Sequence, residues 1–169
     1  MTTFYTIKDG KIEQSADWKF AEDCLETEKE IVRAWDGALY FEDEVPIKPL
    51  ENIKNTKIAE LKQARDTAEQ GGFKYLGKVF DSDATSCQRV SCAAQTAMVC
   101  KLNSVPFQIT WTCKDNTTIE LNENETIGMV PALAEHSNSV HQKYNALKEA
   151  VNEAETEEEV EAITWEIEE

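Results

Sequence analysis

Residues 107–125, FQITWTCKDNTTIELNENE, contain two different periodicities in succession. The first is an alternation of apolar and polar residues, which places every second side chain on one face of a strand. The polar run KDN supplies a turn and TTIEL continues as a return strand, so one face of this hairpin should be buried. Asn122 and Glu125 then have the spacing of a capping box, which predicts that a helix begins here. The apolar residues of the predicted hairpin are Phe107, Ile109, Trp111, Cys113, Ile119 and Leu121.

The predicted helix carries a heptad-like seam, in which residues recur at spacings of three and four. The seam consists of Val130, Leu133, Ser137, Val140, Tyr144, Leu147, Val151 and Ala154. Two interpretations are open: a helix contact within one chain, or a contact between copies in a homo-oligomer. Because Pro131 lacks a backbone donor, we expect it to kink the first turns or to delay the start of the helix. The candidate protein-interaction residues are Val130, Leu133, Val140, Tyr144 and Leu147 on the seam, and Trp35 nearer the N-terminus.

Other segments supply further helices and a β-prone stretch. Apolar positions at helical spacing predict a helix over residues 53–68, and the two glycines that follow close it. Residues 73–80 are short, aromatic and β-prone. Two more helices are predicted from their capping residues, which are Ser82 or Asp83 for one, and Thr156 with Glu159 for a short final helix. Helices packed on small antiparallel hairpins make the predicted fold class α+β.

The N-terminal part has the character of a separate β unit. Asp-Gly pairs at residues 9–10 and 36–37 supply the positive φ angles of tight hairpin turns, and β-prone segments flank both pairs. Pro46 and Pro49 then remove backbone donors and impose an extended path. The predicted domains are a β-hairpin attachment unit at residues 1–46, a linker at 47–52 and a helix-rich α+β domain at 53–169.

Acidic residues dominate the charge of the chain. The 169 residues include 33 acidic and 17 basic side chains, a net charge of -16, which repels phosphate backbones and anionic lipid. We therefore expect no binding to nucleic acid or to membranes. No lysine or arginine follows Lys148, and the glutamates beyond it have two interpretations: a solvated helix face, or a docking face for a basic partner.

The cellular compartment is indicated by the N-terminus and the cysteines. The first residues lack the basic and apolar regions of a secretory signal, and no stretch approaches the roughly 18 apolar residues of a membrane span. Five cysteines, an odd number, favour reduced buried thiols over a disulfide framework. We therefore expect synthesis in the cytoplasm.

Few side chains offer catalytic chemistry. Cys87 and Cys92 lie five residues apart on a predicted helix, about 140° around its axis, so they cannot chelate one ion together. His136 and His141 diverge in the same way, and neither has a carboxylate or hydroxyl partner fixed nearby in sequence. We expect both histidines at the surface or at the edge of the seam. The sequence therefore predicts no enzyme activity, no metal site and no cofactor.

Several segments of the C-terminal two thirds are distinctive in combination. They are KIAELK at 57–62 followed by Gly72-Phe73, SDATS at 82–86, the hairpin around Trp111, His141 with YNALK at 144–148, and Thr156 to Trp165. In this series, residues from about 53 to 167 resemble a domain of unknown function in tail proteins of tailed phages and prophages, often at the C-terminus of tail-fibre or fibre-assembly polypeptides. The N-terminal hairpins are similar, more loosely, to leaders of other small phage tail-associated proteins.

The resemblance implies a non-enzymatic structural or assembly role. The implied protein is a tail-fibre component, adaptor or chaperone whose partners are other phage tail proteins, a trimeric fibre among them. It implies synthesis in the cytoplasm of the bacterial host, with a place in the virion tail as a further expectation. The family carries no established catalytic residue that could be assigned to a position here.

The charge supports an alternative hypothesis from a different class. A cytosolic inhibitor with an acidic surface could mimic nucleic acid and block a host DNA-binding protein. Salt-sensitive binding to such a protein would favour the inhibitor, whereas presence in purified virions would favour the tail protein.

Overall fold

The computed structural model describes residues 2–165, and its helices and antiparallel strands confirm the α+β class. The chain divides into two compact units, residues 1–52 and 53–169. The first unit is built on a five-stranded sheet, and the second contains two small hairpins and most of the helical residues. Across residues 2–165, every helix is too short or too polar to cross a membrane.

Five short strands form the N-terminal sheet: β1 (Thr3–Lys8), β2 (Lys11–Ala16), β3 (Leu25–Thr27), β4 (Ile31–Arg33) and β5 (Leu39–Phe41). Neighbouring strands are antiparallel and follow the order β3-β1-β2-β5-β4. The two predicted hairpins are confirmed, because β1 pairs with β2 and β4 pairs with β5. Asp9 and Gly10 have φ angles of 50° and 77°, as a tight hairpin turn requires. A short 3₁₀ helix, Glu42–Glu44, follows the last strand.

The remaining elements are helices alternating with hairpins. They are α1 (Leu50–Glu69), β6 (Phe73–Tyr75), β7 (Lys78–Phe80), α2 (Ala84–Leu102), β8 (Gln108–Thr112), β9 (Thr118–Asn122), α3 (Glu123–Glu153) and α4 (Glu157–Ala162). Helix α1 begins at Leu50, three residues earlier than predicted and inside the stretch assigned to a linker. The proline before it explains the difference, because proline favours the first positions of a helix and the Pro49 carbonyl accepts from the Asn52 N–H.

Residues 73–80 form a hairpin, whereas the sequence predicted only a β-prone stretch. Its two-residue turn is Leu76-Gly77, and both residues have positive φ angles, 48° and 73°. Such turns are usually recognised by Asn-Gly or Asp-Gly. Because leucine rarely adopts this conformation, the turn left no signal in the sequence.

The predicted helix caps are present, and one alternative is resolved. The Asp83 carboxylate accepts from the backbone N–H groups of Thr85 and Ser86, so Asp83 and not Ser82 caps α2. Complete capping boxes open α3 and α4, formed by Asn122 with Glu125 and by Thr156 with Glu159. The expectation that Pro131 delays α3 is wrong, because the helix begins directly after its cap and continues through the proline. The capping box and the buried first turns hold these residues helical.

One hydrophobic core lies in the C-terminal unit, where both of its hairpins meet α2 and α3. Its largest fully buried side chains are Phe73, Phe80, Val90, Leu121 and Met129. Trp111 and Cys113 are also buried, which confirms the inward face of the predicted hairpin. The rings of Phe73 and Phe80 are 5.4 Å apart, and Phe80 reaches Trp111 at 6.5 Å. The β6–β7 hairpin therefore anchors the centre of the core.

Candidate functional site

The C-terminal end of α1 brings together polar groups from two other parts of the chain, helix α3 and the segment before α2. Glu69 is the last residue of α1, and its carboxylate contacts two side chains of α3. Ser137 Oγ donates to Oε1 at 2.6 Å, and His141 Nε2 lies 3.3 Å from Oε2. The main-chain carbonyl of Glu69 accepts from Ser82 Oγ and lies 3.2 Å from His136 Nε2. Glu69 is thus the centre of a polar cluster.

The two histidines were predicted to diverge and to lack polar partners nearby in sequence, and the structure adds a partner that is distant in sequence. They do point in different directions from α3, but both reach Glu69, one through its carbonyl and the other through its carboxylate. One residue serves both because its main-chain and side-chain oxygens are several ångströms apart. Glu69 precedes them by 67 and 72 residues, so local sequence gave no sign of it.

Glu69 is held in its ionised form. The hydrogen bond from Ser137, with the nearby His141 and Arg65, holds the pKa of Glu69 below its usual value despite partial burial. The charge stands at the negative end of the α1 dipole, and the last turn of α1 contains no basic residue. The position is therefore electrostatically unfavourable for a carboxylate, and the fold stabilises it through Ser137 instead.

A cavity of about 500 Å³ opens beside this cluster. We call it the Glu69 cavity. Its lining residues are Glu69, Gln70, Ser82, Ala84, Cys87, Val130, Leu133, Ala134, His136 and Ser137. The wall contributed by α2 and α3 is largely apolar, and the polar groups gather at the end of α1. The Glu69 cavity thus combines a hydrophobic wall with one anionic end.

The geometry of the cavity does not match that of an activated cysteine or serine nucleophile. Burial raises the pKa of the Cys87 thiol, and its Sγ donates to the Ser82 carbonyl at 3.3 Å, so it is a poor nucleophile. Ser137 and His141 both contact the Glu69 carboxylate. A serine nucleophile needs its hydroxyl on the imidazole, with the carboxylate behind the imidazole. Here the carboxylate stands between the two.

A larger groove of about 1150 Å³ runs along the C-terminal half of α1 and the middle of α3. Small side chains, Ala64, Ala68 and Ala132, lie on its walls with Gly71 and Gly72. Trp165 lies at one end, with Lys143 Nζ 5.3 Å from its ring centre. His136 lines both the groove and the Glu69 cavity, so the two openings adjoin.

The N-terminal unit has its own cavity, of about 510 Å³. Trp18 and Phe20 form an edge-to-face pair on one wall, with ring centres 6.1 Å apart. Arg33 and Leu39 lie on another wall. Trp18 is 62% exposed, so this cavity is shallow at its aromatic side.

The predicted interaction residues fall into separate environments. Val130, 42% exposed, and Leu133 line the Glu69 cavity. Val140 and Leu147 are half-buried, and Tyr144 is buried with Arg65 stacked 4.9 Å from its ring centre.

Trp35 belongs to the N-terminal unit, where its Nε1 donates to the Pro46 carbonyl at 3.0 Å. The seam residues Tyr144 and Val151, in the C-terminal half of α3, are buried within a single chain. Of the glutamates crowding the C-terminus, Glu166, Glu168 and Glu169 lie outside the described residues, as does the last part of the resemblance.

Comparison with known proteins gives a family without an assigned activity. No curated protein and no solved structure matches the chain. Residues 52–164, about two thirds of the chain, match the family described as a domain of unknown function, DUF4376. The range agrees with the residues from which a domain of unknown function was predicted. The chain therefore belongs to the DUF4376 family.

Proposed function

We propose that this chain is a non-enzymatic, tail-associated structural or assembly protein of a bacteriophage or prophage, which acts by binding other tail proteins. The sequence resemblance to tail-fibre and fibre-assembly polypeptides supplies the biological setting. The structural support is the Glu69 cavity, because two of the five seam residues predicted to bind protein line it. A pocket with an apolar wall and a few fixed polar groups is typical of ligand-binding sites, and we propose that its ligand here is a group of a partner protein.

Val130 is the observation that carries the proposal. It is a β-branched apolar side chain left 42% exposed at the mouth of a cavity, on a helix whose neighbouring Met129 is fully buried. The two residues are adjacent, so the helix presents one apolar side chain to the core and the next to solvent. Binding of a partner would remove the Val130 side chain from water.

Affinity purification from cells that are producing phage tests the proposal. The tagged chain should co-purify with tail proteins, identified by mass spectrometry. Val130→Glu should abolish this association, because a charge would enter the apolar wall. Val99→Glu is the matched control, since Val99 is 59% exposed on α2 and does not line the cavity. Recovery of a host DNA-binding protein in place of tail proteins would contradict the proposal and favour an acidic inhibitor.

The oligomeric state of the purified chain tests how it attaches to a fibre. Attachment to a trimeric fibre predicts a trimer in light scattering after size-exclusion chromatography, through seam residues that the single chain leaves half-buried, such as Val140 and Leu147. A monomer would assign the seam wholly to the fold of one chain. It would also shift the proposed role from a permanent fibre component to a transient adaptor or chaperone.

A further inference from the structure

We propose that the Glu69 cavity is a receptor for a lysine side chain presented by the partner protein. This inference rests on the proposed function, since it names the group that a protein partner would insert. It follows from the shape of the cavity, the placement of one ionised carboxylate and the hydrogen bonds that this carboxylate already accepts.

The wall of the cavity matches the aliphatic part of a lysine. Ala84, Val130, Leu133 and Ala134 offer apolar surface from α2 and α3, and Cys87 adds an un-ionised thiol. Lysine buries its four methylene groups against such surface while its ammonium remains with polar groups. A volume of about 500 Å³ leaves room for the chain and for water at its end.

The anionic end matches the ammonium. The Glu69 side chain is 35% exposed, so the charge remains accessible to a ligand. Each carboxylate oxygen has one described contact, Oε1 with Ser137 and Oε2 with His141. A carboxylate offers about four acceptor sites, so further donors can be received. The negative end of the α1 dipole adds to the attraction for a cation.

Two cations described near this end are hydrogen-bonded to other groups, although Arg65 also stabilises the Glu69 charge electrostatically. The guanidinium of Arg65 is hydrogen-bonded to Asp66 at 3.0 Å and stacked on Tyr144. The ammonium of Lys114 donates to the Gly71 carbonyl, which lies beyond the helix end. The Asp83 carboxylate caps α2 next to the cavity residue Ala84 and adds a second negative charge to this side. With a net charge of -16, the protein as a whole favours a basic partner.

The contacts that the two carboxylate oxygens of Glu69 already make favour lysine over arginine as the ligand. Arginine binds a carboxylate best through two parallel hydrogen bonds, one to each oxygen. Ser137 and His141 already contact one oxygen each, which hinders this paired geometry. An ammonium is a point charge that binds from any open direction.

Nuclear magnetic resonance of the ¹⁵N-labelled full chain tests the inference with three capped amino acids. The probes are the N-acetyl methylamides of lysine, norleucine and arginine, where norleucine has a similar stem without the charge. The lysine probe should produce saturable shifts at residues 69–72, 84–87 and 130–137. We expect it to bind about two- to fivefold more tightly than the norleucine probe, because solvent weakens an ion pair with a carboxylate that is 35% exposed. The arginine probe should bind more weakly than lysine.

Variants test whether the Glu69 carboxylate is responsible for the preference for lysine. Glu69→Gln should reduce the affinity for the lysine probe about two- to fivefold and leave norleucine binding unchanged. Glu135→Gln is the matched control, because this glutamate of α3 lines the groove and not the cavity. Ser137→Ala keeps the charge and should keep the preference for lysine.

Three results would overturn the inference: no saturable shift at the cavity, equal binding of lysine and norleucine, or lysine binding that survives Glu69→Gln. The wild-type comparison of probes needs no variant, so a folding defect in Glu69→Gln would not obscure the result. If tail proteins co-purify and depend on Val130 but the lysine probe does not bind, the inference fails and the proposed function stands.

Discussion

The two units of this chain hold their structure by different means. Throughout residues 2–52, the described part of the N-terminal unit, no residue is buried, although five strands are joined into one sheet. The C-terminal unit has much smaller two-stranded hairpins, but its core contains Phe73, Phe80, Leu121 and Met129 at 0% exposure. Backbone pairing therefore organises one unit and side-chain burial organises the other.

We expect strand pairing alone to contribute little stability to the N-terminal unit. Three of the five N-terminal strands have only three residues, and β2 meets β5 at the single pair Ile12 and Leu39. Large apolar side chains of this unit remain in water, among them Ile7 at 52% and Leu25 at 48% exposed. Hydrogen bonds in the sheet replace bonds to water and contribute little net free energy, whereas buried apolar area contributes about 25 cal/mol per Å².

The largest effect is expected when the two units are separated. Residues 47–169 expressed alone should fold cooperatively, because they contain all of α1 and the whole buried core. Residues 1–46 expressed alone should remain largely unfolded, because the described residues 2–46 have no buried side chain to offset the entropy of ordering the sheet. Amide dispersion in NMR spectra and far-ultraviolet circular dichroism of the two fragments measure this. A well-dispersed spectrum from residues 1–46 would contradict the comparison.

A second effect compares one aromatic side chain from each unit. Phe80→Ala should lower the free energy of unfolding of the C-terminal unit by about 3–5 kcal/mol, because it removes a fully buried ring at the centre of the core. Phe41→Ala should cost its unit only about 0.5–1.5 kcal/mol, since the half-buried ring makes an edge-to-face pair with Tyr5. Urea titration of the full chain, followed by NMR signals from each unit, gives both values.

Equal losses for the two phenylalanines would show that the sheet unit derives as much from burial as the helical unit does.

The sequence predicted the elements whose signals are local. The alternation at 107–113 gave the inward face of β8, and Asn122 with Glu125 gave the start of α3, because each depends on residues within a few positions of one another. The Leu76-Gly77 turn was missed because it uses an atypical residue at positive φ. Met129 was missed because the heptad count began at Val130, one position away from the side chain that enters the core.

The candidate site was predictable only in part. Val130 and Leu133 were identified from spacing along one helix, and both line the Glu69 cavity. Glu69 itself could not be identified, because its partners lie 67 to 72 residues later and are brought to it by the packing of α1 near α3. In so acidic a chain, one more glutamate carries no signal until its hydrogen bonds are known.

A third prediction measures how tightly the C-terminal core is packed. Gly128 lies in α3, and a Cβ there would collide with the hydroxyl of Tyr75, which donates to the Glu125 carbonyl at 2.9 Å. Alanine ordinarily stabilises a helix interior by about 1 kcal/mol relative to glycine. Here Gly128→Ala should destabilise the unit by about 1–3 kcal/mol, because the β6–β7 hairpin must move to admit the methyl group. Urea unfolding measures the change.

Tyr75→Phe supplies the control for this prediction. Without the hydroxyl, the nearest atom of the side chain is the ring Cζ, 3.1 Å from the added Cβ, so the ring needs to shift by only a few tenths of an ångström and Gly128→Ala should cost clearly less in the Tyr75→Phe background. A loss of the same size in both backgrounds would mean that the collision with Tyr75 is not its cause, and that the core near α3 is looser than its burial indicates.

The smallest effect concerns the pH dependence that the Glu69 cluster gives to the C-terminal unit. The folded-state pKa of Glu69 is lowered, chiefly by the Ser137 hydrogen bond, so the folded state favours the ionised carboxylate. This stability is fully present above the unfolded-state pKa, about 4.3, and is lost as the pH falls through the lower folded-state value. Glu69→Gln should therefore cost less than about 1 kcal/mol near pH 7, since the side chain is 35% exposed, and the difference from wild type should shrink below about pH 4.

Urea titrations of both proteins from pH 7 to pH 3 give the difference at each pH, with Glu135→Gln as a matched exposed glutamate. A difference that grows on acidification would mean that the carboxylate is stabilised less in the folded chain than in the unfolded one, and the Ser137 contact would then be a consequence of packing and not a source of stability.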